Sequence, residues 1–286
     1  MTVKEIFQLG REMLAQSGVP DAEYDAFCLL SFVTGCDRAF FLTYPDRRMS
    51  PDQADKYLDL CGKRAGRIPL QHLTGSQGFY GLDFEVGPDV LIPRYDTEVL
   101  VETVLSYAGN MIGGSIIDVG TGSGCILVTL LHELTKRGNW SGIGLDLSDK
   151  ALAVARKNAR KHGVDDKTEW LRSDLFAMVK DKKAEIIVSN PPYIPTSDIN
   201  HLMAEVRDHD PHLALDGGCD GLDIYRRLIP EAYERLQTDG LLAVEIGASQ
   251  TPPVTELFRT SGYTQITVTK DLSGLDRVVS GLKKSV

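Results

Sequence analysis

Residues 185–193 read Glu185-Ile186-Ile187-Val188-Ser189-Asn190-Pro191-Pro192-Tyr193. The apolar run up to Ser189 is short and does not alternate, the pattern of a strand covered on both faces inside a parallel sheet. The chain then leaves that sheet at a strand's carboxyl end, where open α/β sheets hold their ligands. Two prolines fix φ and remove two N–H donors, so the exit is stiff and its carbonyls are left as acceptors. The Asn190 carboxamide adds one more acceptor, and the Tyr193 ring a flat apolar wall. Such a corner suits a planar NH₂ group, whose two hydrogens each need an acceptor. Taken alone, the tetrapeptide also reads as a proline-rich strand exit with Asn as turn former.

Upstream, strands and helices alternate. Ser115–Val119 is a strand that runs at once into Gly120-Thr121-Gly122-Ser123-Gly124 and an apolar helix from Cys125 to about Arg137. Glycines permit the tight strand-to-helix turn and let a nucleoside lie against bare backbone. A dinucleotide fingerprint wants its third glycine one position later, where Cys125 stands, so a pyrophosphate cradle is disfavoured. The next strand, 142–146, ends in Asp146, placed to accept from both hydroxyls of a ribose. Ser148 caps the helix that follows. A third strand, 168–172, ends at Ser173-Asp174-Leu175, a place for an exocyclic amine and an adenine face. Asp146 and Asp174 each read equally well as helix caps. Together with the glycine loop and Asn190 they line up as cradle, ribose clamp, adenine site and NH₂ holder along one sheet edge.

After Tyr193 a long polar stretch, 194–220, has the length of a functional lid. A helix over 221–236, a strand over 241–245, a helix over 249–262 and a final hairpin of strands 263–270 and 277–283 complete the sheet. At the other end of the chain, Thr2-Val-Lys-Glu5 is a capping box opening a helix that Gly18 and Pro20 stop. Asp21 caps a second helix to Gly35, and Ser50-Pro51-Asp52-Gln53 opens another with Pro at its first position. This predicts a small helical bundle over 1–75. A connector over 76–93 follows, read as a strand from Phe79 to Val86 turned by Gly87-Pro88-Asp89 and returned by Val90–Ile92. Asp96 then caps a helix to about Tyr107. Arg94, beside a rigid proline, either reaches a carboxylate of substrate or cofactor or makes an interdomain salt bridge.

With 286 residues the chain exceeds one ordinary core, so two domains are expected. No apolar run approaches a membrane span, and Met1–Glu5 lacks the character of a leader. Five scattered cysteines without a C-x-x-C pair suit a reducing cytoplasm. His201, His209 and His212 lack helical ligand spacing and are broken by Pro211, so no metal is expected. The formal charge of −9 lies almost wholly beyond residue 80 and provides no general attraction to phosphate backbones.

Larger motifs carry a resemblance. The alternating half with its terminal antiparallel hairpin resembles class I S-adenosylmethionine-dependent methyltransferases. Asn190–Tyr193 is similar to the motif of enzymes that methylate planar nitrogens. Leu91-Ile-Pro-Arg94 with Thr97-Glu98, Asp118–Gly124, Asn190–Tyr193, Ala214–Gly218 with Gly221-Leu222, and Asp276-Arg277-Val278 together resemble the release-factor glutamine N5-methyltransferases, the HemK/PrmC family. Asp25, Leu29-Leu30, Ile68–Gln71 and Leu73–Gly75 match the same family, so the resemblance spans nearly the whole chain.

That resemblance implies a Rossmann-like seven-stranded sheet over 94–286 behind the bundle and connector. It implies S-adenosylmethionine as cofactor, with S-adenosylhomocysteine as product, on Gly120, Thr121, Gly122, Ser123 and Gly124, with Asp146 on the ribose and Asp174 and Leu175 flanking the adenine. Asn190 would meet cofactor and substrate. Asn190, Pro191, Pro192 and Tyr193, with Arg94, would grip the glutamine of a release factor's Gly-Gly-Gln loop, with Asn190, Pro191 and Tyr193 catalytic. The helical domain would dock that partner, with the enzyme a cytoplasmic monomer binding no nucleic acid directly and no membrane. Tyr95 stands where the family commonly has Pro, and Asp210 where Glu is usual before Pro211.

An amide nitrogen is a poor nucleophile, and here its hydrogens would be held by Asn190 Oδ1 and the Pro191 carbonyl while Tyr193 stacks beside its plane. Positioning then supplies most of the catalysis, and no histidine base is needed. Rival readings are a nucleic-acid amino methyltransferase, against which the acidic balance counts, a nicotinamide dehydrogenase, which leaves Asn190–Tyr193 unexplained, and a cofactor-sensing adaptor without turnover.

Overall fold

A computed structural model describes residues 1–284, which cluster into two compact units. The smaller comprises residues 1–76 with 203–209, and the larger the described residues 77–202 with 210–284.

The smaller unit is helical. Helix α1 (Val3–Gln16) starts at the Thr2 capping box, in which Thr2 Oγ1 accepts from Glu5 N and the Glu5 carboxylate accepts from Thr2 N. Helix α2 (Ala22–Thr34) follows Asp21, whose side chain makes no capping bond, and stops at Gly35 in the left-handed region. Asp37 caps the short α3 (Arg38–Thr43), where the sequence reading saw only an aromatic segment. Helix α4 (Pro51–Ala65) opens as expected on Ser50 with Pro51 in its first turn, and α5 (Leu70–Thr74) closes the series. Their apolar stripes bury Ile6, Leu29, Leu30, Tyr57 and Cys61 in one core. Through this core runs a buried ion cluster. Arg64 Nε donates to Asp25 Oδ2 at 2.6 Å and Arg64 Nη2 to Glu205 Oε1 at 2.9 Å. Arg67 Nη2 donates to Glu205 Oε2 at 2.7 Å, so the helical turn Ala204–Arg207 is fastened to these helices.

The larger unit begins, at Gln77, within a hairpin of β1 (Ser76–Phe79) and β2 (Leu82–Glu85). This corrects the expected turn at residues 87–89. Tyr80 (φ 50°) and Gly81 (φ 74°) both have positive φ, the condition for a two-residue turn matching strand twist, so the chain reverses there. Asp96 does not cap the next helix either. It lies inside a 3₁₀ turn, Tyr95–Thr97, that leads into α6 (Glu98–Tyr107), and its carboxylate faces Arg277 at 3.3 Å.

The sheet contains β3 (Gly113–Val119), β4 (Asn139–Asp146), β5 (Thr168–Arg172), β6 (Ala184–Ser189), β7 (Leu236–Glu245), β8 (Tyr263–Lys270) and β9 (Asp276–Lys283). Their spatial order is β5-β4-β3-β6-β7-β9-β8. β9 runs antiparallel to β7 and β8, the terminal hairpin expected, and the other neighbours are parallel. Helices α7 (Cys125–Leu134), α8 (Asp149–Lys161), α9 (Asp223–Arg235) and α10 (Thr251–Thr260) connect the strands. α7 ends one turn before the expected Arg137. One apolar core packs α6, α7 and α8 on one face of the sheet, and a second packs α9 and α10 on the other. The strands between are therefore apolar on both sides, which is why β6 reads as an unbroken run.

Strand order reverses between β3 and β6. β3 continues outward through β4 and β5, whereas β6 continues through β7 to the other edge. Their register pairs Val119 with Ser189. Gly120 and Asn190, the next residue on each strand, therefore emerge side by side at the switch point, where such sheets open a crevice.

Candidate active site

A cavity of about 430 Å³ occupies that crevice. Gly120 and Gly122 form part of its wall, with Asp146 at the end of β4 and Asp174 and Leu175 past the end of β5. Asn190, Pro191 and Pro192 stand on the β6 side, and Pro211–Ala214 cover another. Thr121, Ser123 and Gly124 support the loop from behind. Thr121 Oγ1 donates to Asp118 Oδ2 at 2.6 Å, and the Ser123 carbonyl accepts from the buried Asn158. Gly124 has φ 79°, and a Cβ there would lie 3.0 Å from that of Ala155, so the loop is pressed against α8.

Asp146 accepts from Gly122 N at 2.9 Å through Oδ2 and from Ser148 N at 2.8 Å through Oδ1. Each oxygen keeps a second lone pair for a diol. Burial raises this carboxyl's pKa, and hydrogen bonds from Ser148 and Gly122 oppose the rise. Asp174, half-exposed, accepts from Arg227 at 2.9 Å. Asp118 lies wholly buried under the loop, and burial lifts its pKa to about 7 while Thr121 holds it down.

The Asn190 corner is clamped on several sides. Ser189 Oγ donates to the Val119 carbonyl at 2.7 Å, tying the ends of β6 and β3 together. Asn190 Nδ2 donates to Thr97 Oγ1 at 3.2 Å, which leaves the carboxamide oxygen as its free end. The Tyr193 carbonyl accepts from Gln250 Nε2 at 2.9 Å. Beyond it, Ile194 N donates to the Leu215 carbonyl and Gly217 N to the Ile194 carbonyl, so the 194–220 segment is strapped back on itself. Gly217 is required there, since a Cβ would approach the Pro192 carbonyl to 2.9 Å.

Two expected site residues lie elsewhere. The Tyr193 ring does not line the cavity. It packs against the core beneath the corner, with its hydroxyl 3.4 Å from Glu245 Oε1, and burial pushes its pKa well up. Arg94 Nη2 pairs with Asp210 Oδ2 at 2.7 Å, an ion pair within the larger unit rather than between domains. Thr97, Glu245 and Gln250 were not read as site residues. A signal existed for Glu245, which ends an apolar strand at the same sheet edge as Asp146. None existed for Gln250, which acts through a backbone carbonyl far away in sequence.

Comparisons with known proteins match this geometry. Residues 5–75 match the PrmC N-terminal domain and residues 95–218 the Methyltransferase small domain. The hMettl16 catalytic domain superposes with a TM-score of 0.59 at 17% identity, covering 88% of this chain and 94% of that one. A methyltransferase from Pyrococcus furiosus gives a TM-score of 0.52 at 16% identity, covering 72% of this chain and 91% of its own. Sheet order, glycine loop and crevice thus have the Rossmann-like fold of these methyltransferases. Among full-length relatives, the release factor glutamine methyltransferase of Geobacter sulfurreducens is 40% identical, covering 98% of this chain and 96% of its own. That of Moorella thermoacetica is 41% identical and covers 97% of each. The chain belongs to the release factor glutamine methyltransferase family, whose members are S-adenosylmethionine-dependent enzymes.

Proposed function

We infer that the protein transfers a methyl group from S-adenosylmethionine to the side-chain amide nitrogen of the glutamine in a release factor's Gly-Gly-Gln motif. The observation that carries this reading is the Asn190 corner. Its carboxamide donor is engaged by Thr97, so an oxygen acceptor is presented beside the glycine loop. S-adenosylmethionine supplies an electrophilic methyl on a sulfonium when bound. The glycine loop takes its nucleoside part, Asp146 the ribose hydroxyls through the lone pairs left by Gly122 and Ser148, and Asp174 and Leu175 the base. Asn190 Oδ1 and the Pro191 carbonyl would accept the two amide hydrogens, which would fix the amide plane at the corner and leave the nitrogen's π face open for transfer, so that positioning supplies most of the catalysis. The sulfonium S–CH₃ bond would break as the N–C bond forms, leaving S-adenosylhomocysteine, and the N-methylated amide cation would give its proton to water, so no strong side-chain base is required. Pro192 stiffens the corner. Tyr193 backs it from the core, in place of the stacking role expected from sequence.

Residues 1–75 would dock the protein substrate, and an apolar groove bearing Tyr24, Phe27 and Phe32 on this unit supports that role. The formal charge of −9 supports a protein substrate over nucleic acid. Among the described residues no helix is long and apolar enough to cross a membrane. A cytoplasmic monomer is the form proposed.

The test is mass spectrometry of purified release factor after incubation with enzyme and S-adenosylmethionine. One added methyl on the Gly-Gly-Gln glutamine is expected, and methyl on another residue or none overturns the reading. In the same assay Asn190→Ala is expected to lower kcat at least about 100-fold, with thermal stability retained.

A further inference from the structure

Behind the Asn190 corner, off the cavity wall, lies a set of buried polar groups that the reaction as derived above does not use. Thr97 enters α6 and Glu245 ends β7, and each is 2% exposed. Thr97 Oγ1 accepts the Asn190 Nδ2 hydrogen at 3.2 Å. A hydroxyl that accepts on its oxygen still has its own proton to give. The Glu245 carboxyl lies within that hydroxyl's influence, since a hydrogen bond from Thr97 is among the effects that hold its pKa down. Burial raises its pKa to about 7, against the pull of the Thr97 hydroxyl and the Arg277 charge. Tyr193 Oη lies 3.4 Å from Glu245 Oε1, while Oε2 is buried without a hydrogen-bond partner. Arg277 is itself held by Asp271, at 2.9 Å from Nη2 and 3.1 Å from Nε.

A carboxamide's two ends have nearly the same shape but opposite polarity. Turned by half a rotation, Asn190 would aim its own NH₂ at an incoming NH₂ group, donor against donor. Something must therefore choose the end that faces the cavity. We propose that Thr97 and Glu245 are positioning residues, a relay in which Asn190 Nδ2 donates to Thr97 and Thr97 donates to Glu245, fixing Asn190 Oδ1 toward the substrate amide. Chained hydrogen bonds polarise one another, so when Glu245 is ionised the carboxylate at the far end also makes Oδ1 a stronger acceptor. Neither residue touches substrate or cofactor. The inference deepens the amide-methylation reading and rests on it for its kinetic readout.

The test compares Thr97→Val, which keeps the shape and loses the hydroxyl, with Thr97→Ser, which keeps the hydroxyl, and with Glu245→Gln. For each full-length variant, kcat and KM with release factor are measured, along with S-adenosylhomocysteine affinity by calorimetry. Thr97→Val and Glu245→Gln are expected to lower kcat about 10- to 100-fold, the loss that goes with one charge-assisted hydrogen bond. Cofactor-product affinity stays as in the wild type, and Thr97→Ser regains most of the rate. A purely structural role would lower melting temperature and leave kcat per folded molecule intact, which would overturn the relay. If Thr97→Val does not fold, Glu245→Gln decides alone. Wild-type enzyme is the control on the underlying reading. Should it methylate no release factor, that reading fails by itself, and the relay is decided by the Asn190 side-chain NH₂ resonances in nitrogen-15-labelled protein. A slowly exchanging pair in the wild type that shifts and exchanges faster in Glu245→Gln supports it, and unchanged resonances overturn it.

Discussion

Asn190 is a short side chain whose amino end is held by Thr97, and Asp118 shows the same dependence on surroundings. Read as sequence, Asp118 is one more strand-end acid beside a glycine loop. In the structure it is wholly buried, with Oδ2 bound by Thr121 and Oδ1 without a hydrogen-bond partner. Its pKa of about 7 lies above the ordinary value because burial penalises the ionised form. The folded state then holds this proton more tightly than the unfolded chain. Its contribution to stability is complete below about pH 4 and is lost as pH rises through about 7. Asp118→Asn removes the ionisation while keeping an acceptor for Thr121. The variant is expected to melt near the wild type at about pH 4 and above it at about pH 8, by about 2–4 °C per kcal/mol relieved. A gap in melting temperature that does not change between those pH values would show that Asp118 does not titrate in the fold.

At the scale of elements, the strand–loop–helix unit of β3, the glycine loop and α7 was legible because each residue type is dictated locally. Gly120, Gly122 and Gly124 all have positive φ, which side chains disfavour. Gly124→Ala meets two costs at once, the left-handed backbone and contact with Ala155 and Trp170. It is expected to lower unfolding free energy by about 1–3 kcal/mol in urea titration, whereas an unchanged midpoint would mean the loop relaxes freely. The hairpin was placed wrongly for a reason at the same scale. Gly87-Pro88-Asp89 carries the stronger turn composition, but Tyr80-Gly81 adopts the positive-φ pair, and the Tyr80 backbone N–H is held by Glu98 at 2.7 Å. A tertiary hydrogen bond outweighed a turn propensity. Asp96 was misread as a cap in the same way, because Arg277, remote in sequence, lies beside its carboxylate.

Over the whole molecule, the division into two units leaves the smaller with a modest core and a buried ion cluster. Arg64 and Asp25 are each 6% exposed, and burial raises the pKa of Asp25 against the pull of Arg64. Arg64→Met strands a buried carboxylate and is expected to cost about 3–5 kcal/mol, with faster hydrogen exchange across Val3–Thr74. Adding Asp25→Leu is expected to recover much of that loss, and strictly additive losses would show that the pair is not coupled. The sequence by itself determined the order of strands and helices, the glycine loop and the stiff exit after β6, since alternation, glycine and proline act through neighbouring backbone. Tertiary structure alone decided which side chains of those motifs face the cavity. The β3–β6 register sets Gly120 beside Asn190, and core packing turns Tyr193 inward. Thr97 reaches Asn190, and Tyr193 reaches Glu245, behind the corner only because the chain folds distant elements together, which no local pattern encodes.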